Sequence, residues 1–517
     1  MPWVTPVTTV EAVLNGSGIL GTWTDISVDV TNDPIKLSWG IKSYRPQDRC
    51  AGPGPITLAM RNDAGSSGGV VGYYAPTHAN CRSGWGYNIP IRVKQVYGGV
   101  TRYLLGYITD LVSEPGLYEE QRVFVTAVTW LDFAARTNVP TTLQIDKRAD
   151  EVFSAVIAGI SPAPANLVVG LSNDIYPIAL DNISANTKAL SVIADLARNE
   201  MGYAGERRDA TIGQTVFFEV RGARAGAGSP IVTLDKSMHD LSMPGGRADI
   251  LNKFRATSYP RDQFGHEGIA VASLASVPRT PIAASGGTLE IWLNYTDPVQ
   301  RDTRIGAKNQ VNPVQYTDYT ANTLVDGTGD DKTTTLGVVC AYFASSVKVT
   351  FTNTDALPVY VTAFQLRGDG VYALNPVTSE ASDPTSVATY AENLTEFDLK
   401  YQSDPNVVDQ LVAYQLYLYK DPKGYVTSVS FVANQSATLM AAAMAGDVTS
   451  VFDMVETMTG LTTAQRYFIN GVDIEIAEFE VVTVTWYPTP ADMNAYARLD
   501  TGTPVSQLDG SALLGWV

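Results

Sequence analysis

Residues 91–108 read IRVKQVYGGVTRYLLGYI, and this stretch decides the fold class. Apolar and polar residues alternate on both sides of Gly98-Gly99, which is the pattern of a β-hairpin with a tight turn. The chain then runs extended from residue 122 to 128 and is predicted to become helical at Leu131. Upstream, residues 56–63 form another apolar strand that ends in the turn residues Asn62-Asp63. The sequence therefore predicts a β-domain at the start of the chain.

Length and charge narrow the choice of class. The 517 residues exceed what one hydrophobic core usually serves, so three or four domains are expected. The formal net charge of −17 excludes a general nucleic-acid binder, because affinity for phosphate requires Lys and Arg. Residues 351–500 hold 19 acidic and 6 basic side chains. A solvated acidic surface explains this excess, and the sharper alternative is a passage through which DNA slides without sticking.

Three further helices interrupt the strands. Residues 148–160 have helical apolar spacing with Asp146 as the expected N-cap, and residues 187–201 carry an apolar stripe that ends before Gly202. Asp404-Pro405 predicts the start of a third helix that extends to about Lys420. Near the C-terminus, Asn470-Gly471 is interpreted as a turn between closing strands.

The predicted fold class is mainly β with α+β insertions, in which two related β-barrels are accompanied by a small helical domain and an inserted β-sandwich. The expected divisions are a first barrel at 1–145, a helical insertion at 146–246, the start of a second barrel at 247–277, the sandwich at 278–380, the helix and rest of the second barrel at 381–490, and a C-terminal arm at 491–517.

Hydrolase motifs are weak in this chain. His78, His239 and His266 are the only histidines, and none has a second histidine at metal-ligand spacing. Residues 65–69 match the G-x-S-x-G pattern, yet the segment after them is not helical and no His and acid complete a triad. We interpret residues 65–69 as a loop.

The sequence gives equally weak support to a pair of carboxylates for glycoside cleavage and to a calcium-binding loop. Asp473 with Glu475, and Glu478 with Glu480, are predicted to share strand faces, which is common on acidic sheets without catalysis. Residues 326–331 resemble half of a calcium loop but lack its glutamate. Trp292 and Trp486 could stack on sugars, although tryptophans mostly fill cores and interfaces. We therefore predict no enzyme, no catalytic, cofactor-binding or metal site, and no cofactor.

The cysteines and the apolar runs bear on the compartment. Cys50, Cys81 and Cys340 are too few for a disulfide framework, and free thiols are expected, although a bond between Cys50 and Cys81 stays open. No apolar run is long enough to span a membrane, and the first residues do not resemble a signal peptide. We expect synthesis in a cytoplasm.

The order of several short segments resembles the tail-hub, or minor tail, proteins of long-tailed bacteriophages. The segments are the strand at 56–63, the hairpin from Pro90, Lys188–Tyr203, Ile250–Phe254, Phe364–Gly368, Tyr467–Val472 and Val481–Trp486. Thr126–Trp130 departs from the family pattern, which often has Thr-Ala-x-Asp there, and this leaves the subfamily open.

The resemblance implies a structural protein of the virion tail tip, made in the host bacterial cytoplasm. Such hubs carry two related barrels per chain and form homotrimers, whose six barrels make a pseudo-sixfold ring. The implied partners are the hexameric tail tube, the distal tail protein, the tape-measure protein and tail fibres or a spike, with passage of DNA but no specific DNA binding. Two alternatives remain: host carbohydrate or receptor binding through residues 265–390, and a tail-associated cell-wall hydrolase that would need Glu478 or Glu480.

Overall fold

The computed structural model describes most of the chain. The described residues are 3–114, 121–139, 144–172, 175–180, 186–224, 228–243, 246–262, 269–272, 279–295, 306–343, 346–422, 426–456 and 463–491. The arm predicted at 491–517 and His266 lie outside these residues, apart from residue 491. Among the described residues, no helix combines the length and the hydropathy needed to cross a bilayer.

The N-terminal part is a set of strands followed by a short helix. The elements are β1 (Val7–Val13), β2 (Trp23–Asp25), β3 (Ile35–Gly40), β4 (Pro55–Arg61), β5 (Pro90–Tyr97), β6 (Val100–Glu114), β7 (Arg122–Val128) and α1 (Leu131–Arg136). The predicted hairpin is confirmed as β5 and β6, and Gly98 and Gly99 both have positive φ angles at its turn. Glycine suits these two positions because the mirror-image hairpin turn requires left-handed backbone.

The next part mixes helices with short strands. The elements are β8 (Gln144–Arg148), α2 (Ala149–Ala158), β9 (Asn166–Val169), β10 (Ile175–Ala179), α3 (Ala189–Asn199), β11 (Tyr203–Arg207), β12 (Thr215–Glu219), β13 (Thr233–Leu234) and β14 (Asp240–Ser242). Helices α2 and α3 lie where the apolar spacing predicts them. The predicted cap is wrong, because Asp146 lies in β8 and the Glu151 carboxylate accepts the Arg148 N–H at the start of α2, at 2.9 Å.

An inserted β-region follows. The elements are β15 (Lys253–Ser258), β16 (Arg261–Asp262), β17 (Ile269–Ala272), β18 (Gly287–Asn294), β19 (Gly306–Val311), β20 (Tyr319–Asn322), β21 (Leu336–Tyr342), β22 (Ser346–Asn353), β23 (Tyr360–Phe364), β24 (Leu366–Ala373) and β25 (Val377–Ser382). Sheet β18-β22-β21 faces the β20-β23 pair, and Phe351 meets Phe364 edge to face between them. A separate apolar core fills the part of this region from Ile282 to Tyr372.

The described C-terminal part contains three helices and five strands. The elements are α4 (Pro384–Tyr390), β26 (Leu394–Leu399), α5 (Pro405–Tyr419), β27 (Ser428–Val432), α6 (Ala437–Ala445), β28 (Val451–Glu456), β29 (Thr463–Ala477) and β30 (Val481–Pro490). The predicted cap of α5 is confirmed, since the Asp404 carboxylate accepts the Asn406 N–H at 2.9 Å. Helix α6 has no polar stripe that would predict it, because it is apolar on nearly every side and largely buried.

One sheet collects strands from both ends of the chain. Its order is β14-β27-β30-β29-β3-β4-β7-β6-β5-β1-β2, and β28 pairs with β29 and β13. The sheet contains two four-strand units, which we call repeat 1 and repeat 2. In repeat 1, β4 is followed by the meander β5-β6-β7 and pairs antiparallel with β7. In repeat 2, β27 is followed by the meander β28-β29-β30 and pairs antiparallel with β30. The two repeats therefore have the same topology.

The repeats also agree in backbone detail. The middle strands β6 and β29 each have 15 residues, and each shifts register just after one isoleucine, Ile108 or Ile469. Before each meander, Asn88 or Thr449 has a positive φ and donates its N–H to the carbonyl of that isoleucine, at 2.7 and 2.9 Å respectively. The correspondence aligns the two repeats residue by residue around the shift.

The mainly β fold with α+β insertions is confirmed, and the two main β units are related in topology. The expected closure into barrels is absent, because none of the described sheets closes on itself and both repeats belong to one open sheet. They also share a core, which extends from Val10 to Trp486. A second core lies under α1, α2 and α3.

Candidate functional site

The seam is the junction at which β3 joins repeat 1 to repeat 2. Strand β29 has two successive partners along one edge, since residues 463–468 pair with β28 and residues 471–476 pair with β3. The change occurs at Asn470, whose carbonyl accepts the Ile41 N–H at 2.7 Å. The prediction of a turn at Asn470-Gly471 is therefore wrong, because these residues form an irregularity inside a continuous strand.

Close backbone approach explains the glycines at the seam. A Cβ on Gly471 would lie 2.6 Å from the Ile41 carbonyl oxygen, and a Cβ on Gly40 would clash with the Asn470 carbonyl oxygen. Gly40 also has a φ of +86°. A larger residue at either position would force β3 away from β29.

Arg224 fixes the irregularity from the middle part of the chain. Its Nη1 donates to the Asn470 side-chain oxygen at 2.5 Å, and its Nε donates to Glu219 at 2.9 Å. The guanidinium also lies over the Tyr203 ring, 3.7 Å from the centroid. Arg224 is buried, so the carboxylate and the ring together compensate for its lost hydration.

A buried ion pair holds the other side of the seam. Asp447 Oδ1 accepts the Trp39 indole N–H at 2.7 Å, and Asp447 Oδ2 accepts the Arg208 backbone N–H at 2.9 Å. The Arg208 side chain donates to the carbonyls of Ala443 and Gly446 at the end of α6, and its guanidinium lies over the Trp39 ring. Burial raises the pKa of the Asp447 carboxyl, while the charge of Arg208 opposes that shift.

The face of the seam opposite the core is polar. It forms a concave pocket with a volume of about 440 Å³. The pocket is lined mostly by Lys, Thr, Ser and acidic side chains, namely Lys36, Ser38, Lys42, Thr57, Asp473, Glu475, Thr483 and Thr485. Two ion pairs cross this surface, Lys42–Asp473 at 2.7 Å and Lys36–Glu475 at 3.8 Å. The Tyr487 hydroxyl donates to Asp473 at 2.8 Å, and burial together with this bond raises the pKa of Tyr487 to about 12. We call this surface the polar face.

A contrasting surface lies on repeat 1. Val112 of β6 and Phe124 of β7 are cross-strand partners on the side away from the core, with 52% and 40% of their area exposed. The register aligns Val112 with Asp473 of the polar face, so an apolar pair stands where repeat 2 has polar side chains. The opposite edge of β6, which faces away from β7, pairs with no strand from residue 109 to 114 in the part of the chain that the structure describes.

The carboxylates considered for glycoside cleavage separate into two places. Asp473 and Glu475 share a strand face as predicted, but both form ion pairs with lysines. Glu478 lies at the β29–β30 turn with a φ of +53°, and the Glu480 N–H closes that turn on the Ala477 carbonyl. The prediction that Glu478 and Glu480 share a strand face is therefore wrong.

The G-x-S-x-G segment forms turns, not a nucleophile elbow. Ser66 Oγ donates to the Val70 carbonyl, and Ser67 Oγ donates to the buried Asp29 carboxylate. Tyr74 OH donates to the same carboxylate at 2.6 Å, so Asp29 organises the loop between β4 and β5. His78 is exposed. Burial and the bond to Asp29 raise the pKa of the Tyr74 hydroxyl.

The remaining candidate residues lie in turns, in the core or on the surface. Asp326 accepts the N–H and hydroxyl of Thr328 within a turn, and no group of three or more possible metal ligands occurs among the described residues. Trp486 is buried against Phe431, whereas Trp292 is exposed and lies beside the tilted ring of Phe343. His239 is exposed. Cys50, Cys81 and Cys340 are all free, and burial raises the pKa of Cys50 to about 12.

No protein-family model matches the chain, and no curated protein matches it in sequence. Among solved structures, the fold is similar to the 43 kDa tail protein of prophage MuSo2 from Shewanella oneidensis, with a TM-score of 0.45, 7% identity and coverage of 94% of this chain and 99% of that chain. It is also similar to a tail protein from Neisseria meningitidis MC58, with a TM-score of 0.47, 7% identity and coverage of 95% and 100%.

A third similar structure is prophage tail protein gp18 from Listeria monocytogenes EGD-e, with a TM-score of 0.41, 8% identity and coverage of 93% of this chain and 94% of that chain. All three of these structures are of tail proteins.

Proposed function

We propose that this chain is a structural subunit of a bacteriophage tail tip that works as a homotrimeric hub. The observation that carries the proposal is the repeated topology: two four-strand units with the same strand order are joined edge to edge within one chain. Three such chains supply six similar units, so a threefold ring presents six equivalent positions to a hexameric partner. The hub joins the tail tube or distal tail protein on one side to fibres or a spike on the other.

The polar face is proposed to line the passage for DNA. Its ion pairs balance lysines with carboxylates, so it offers neither a strong positive field nor an apolar patch to a sliding duplex. In this proposal the acidic excess of residues 351–500 reaches the passage through Asp473 and Glu475. The chain acts as a scaffold and not as an enzyme.

Native mass spectrometry and electron microscopy of the purified full chain test the hub. The expected species is a trimer, and the expected image is a ring with six similar lobes around a central opening. A chain that stays monomeric at micromolar concentration and is missing from the tip of isolated tails contradicts the proposal.

A second candidate function is carbohydrate binding by the inserted β-region. The observation in its favour is Trp292, which has 61% of its area exposed and lies beside Phe343, with 5.0 Å between ring centroids. Exposed aromatic faces of this kind stack on sugar rings. A glycan-binding screen with the full chain and with Trp292→Ala checks it, and saturable binding that the variant loses is the expected result.

A further inference from the structure

We propose that neighbouring chains of the trimer join by pairing the free edge of β6 in one copy with the free edge of β14 in the next. The inference rests on the proposed trimeric hub and names the strands that close it. Among the described strands, none occupies in repeat 1 the position that β3 occupies in repeat 2.

This position lies along β6. In repeat 2, β29 pairs with β28 up to its register shift and with β3 beyond it. In repeat 1, β6 pairs with β5 up to its own shift, and the same edge has no partner from residue 109 to 114 in the described structure. Alignment at the shift makes Leu111 the counterpart of Val472 and Glu114 the counterpart of Glu475. The vacant edge of β6 in repeat 1 is thus the counterpart of the edge of β29 to which β3 pairs in repeat 2.

Strand β14 is of the kind that fits this edge. Strand β3 lies beside the first strand of repeat 1, and β14 lies in the same position beside the first strand of repeat 2. Both of these pairs are antiparallel. Among the described strands β14 pairs only with β27, so its outer edge is free. Each chain therefore carries one vacant edge and one spare strand of matching kind.

The two edges lie at different places in the sheet. Strand β14 ends the sheet on the side of repeat 2, whereas β6 lies within repeat 1. The two edges are different surfaces, so their pairing between copies is head to tail and generates a ring when the rotation closes. Unpaired strand edges are avoided in proteins unless they are covered or used for assembly, and the exposed Val112–Phe124 pair beside the β6 edge gains cover from a neighbour.

The alignment also predicts a register. Within the chain, Lys36 of β3 is opposite Glu475 of β29. The counterpart of Lys36 is Ser242, because both stand at the same level beside the first strand of their repeat. The counterpart of Glu475 is Glu114. Ser242 of one copy is therefore expected opposite Glu114 of the next, and both residues are exposed in the single chain.

Cysteine cross-linking of the full chain tests the register. The double variant Glu114→Cys with Ser242→Cys is expected to form disulfides between chains under mild oxidation, up to a covalent trimer, because directly opposed strand residues meet the distance that a disulfide requires. The wild type, with its three free cysteines, and each single variant are controls that should not form a covalent trimer. Val112→Cys with Ser242→Cys moves one partner by two residues and should yield at least about tenfold less product.

The outcomes separate this inference from the hub itself. A trimer in which the Glu114–Ser242 pair does not cross-link, or cross-links no better than the shifted pair, overturns the inference and leaves the hub standing. A monomer overturns both. Because Glu114 also forms an ion pair with Arg122, the single variant Glu114→Cys is checked for trimer formation first. Ser113→Pro is the second variant, expected to lose the trimer while keeping its circular dichroism spectrum, since proline on a free edge removes only an outward N–H.

Discussion

The Trp39 indole donates a hydrogen bond to the Asp447 carboxylate at 2.7 Å, across 408 residues of sequence. Trp39 lies on β3 and Asp447 follows α6, so this contact joins the N-terminal strands to the C-terminal repeat. Arg208 from the middle of the chain lies beside the same carboxylate, 3.6 Å from it. Three distant segments therefore meet at one buried charge, and the seam depends on all of them.

Replacement of Asp447 with Ala is expected to lower the free energy of unfolding by about 3–5 kcal/mol, because it leaves the Arg208 guanidinium buried without its anion. The double variant Arg208→Met with Asp447→Leu should recover most of that loss, since it removes both buried charges. Urea denaturation followed by tryptophan fluorescence measures both. A double variant less stable than Asp447→Ala would show that the pair acts through its hydrogen bonds and not through its charge.

Glu206 is expected to make stability depend on pH. Its carboxylate accepts the N–H groups of Trp130 and Leu131 at the start of α1, and burial raises its pKa to about 7. The pKa of Glu206 is therefore higher in the folded state than in the unfolded state. The stabilising contribution of the protonated carboxyl is complete below the unfolded pKa and is lost as the pH rises through about 7. Thermal unfolding measured between the unfolded pKa and pH 7 should therefore show stability decreasing with increasing pH.

The matched variant Glu206→Gln has no such titration. The stability of the wild type relative to Glu206→Gln should fall between pH 4.5 and 7 by on the order of 3 kcal/mol, and the difference should then be constant. A rising difference for Glu206→Gln over this range would mean that the hydrogen-bond donors outweigh burial.

Local patterns predict the hairpin at Gly98-Gly99, helices α2, α3 and α5 and the cap at Asp404, because their causes lie within a few residues. The seam has no such local cause. Asn470-Gly471 has the composition of a turn, and only the approach of Ile41 from the other end of the chain turns it into an irregularity within a strand. The relation between the repeats is also hidden in sequence, since aligned core positions such as Val125 and Trp486 share only their apolar character.

The close approach at the seam is tested by Gly40→Ala against Gly99→Ala. Gly40 and Gly99 have φ angles of +86° and +81°, so the backbone strain from a Cβ is matched. The new methyl group would strike the Asn470 carbonyl in the first variant and meets nothing within 4 Å in the second. We expect Gly99→Ala to cost about 1 kcal/mol and Gly40→Ala to cost clearly more, by urea denaturation. Equal losses would mean that β3 is free to shift away from β29.

The polar face is tested by charge reversal with Asp473→Lys and Glu475→Lys. The variant places four lysines on the surface proposed to line the passage, so the assembled ring should gain affinity for duplex DNA. This affinity should be lower at 200 mM than at 50 mM salt, because contacts between lysines and phosphates weaken steeply with salt. Linear DNA can thread a closed ring and a closed circular duplex cannot, so only linear DNA should be retained in a gel-shift assay. Glu380→Lys with Glu396→Lys, on exposed strands around Arg255, is the charge-matched control and should not distinguish the two DNA forms. Equal binding of linear and circular DNA by the Asp473 and Glu475 variant would place the polar face on the outside of the ring.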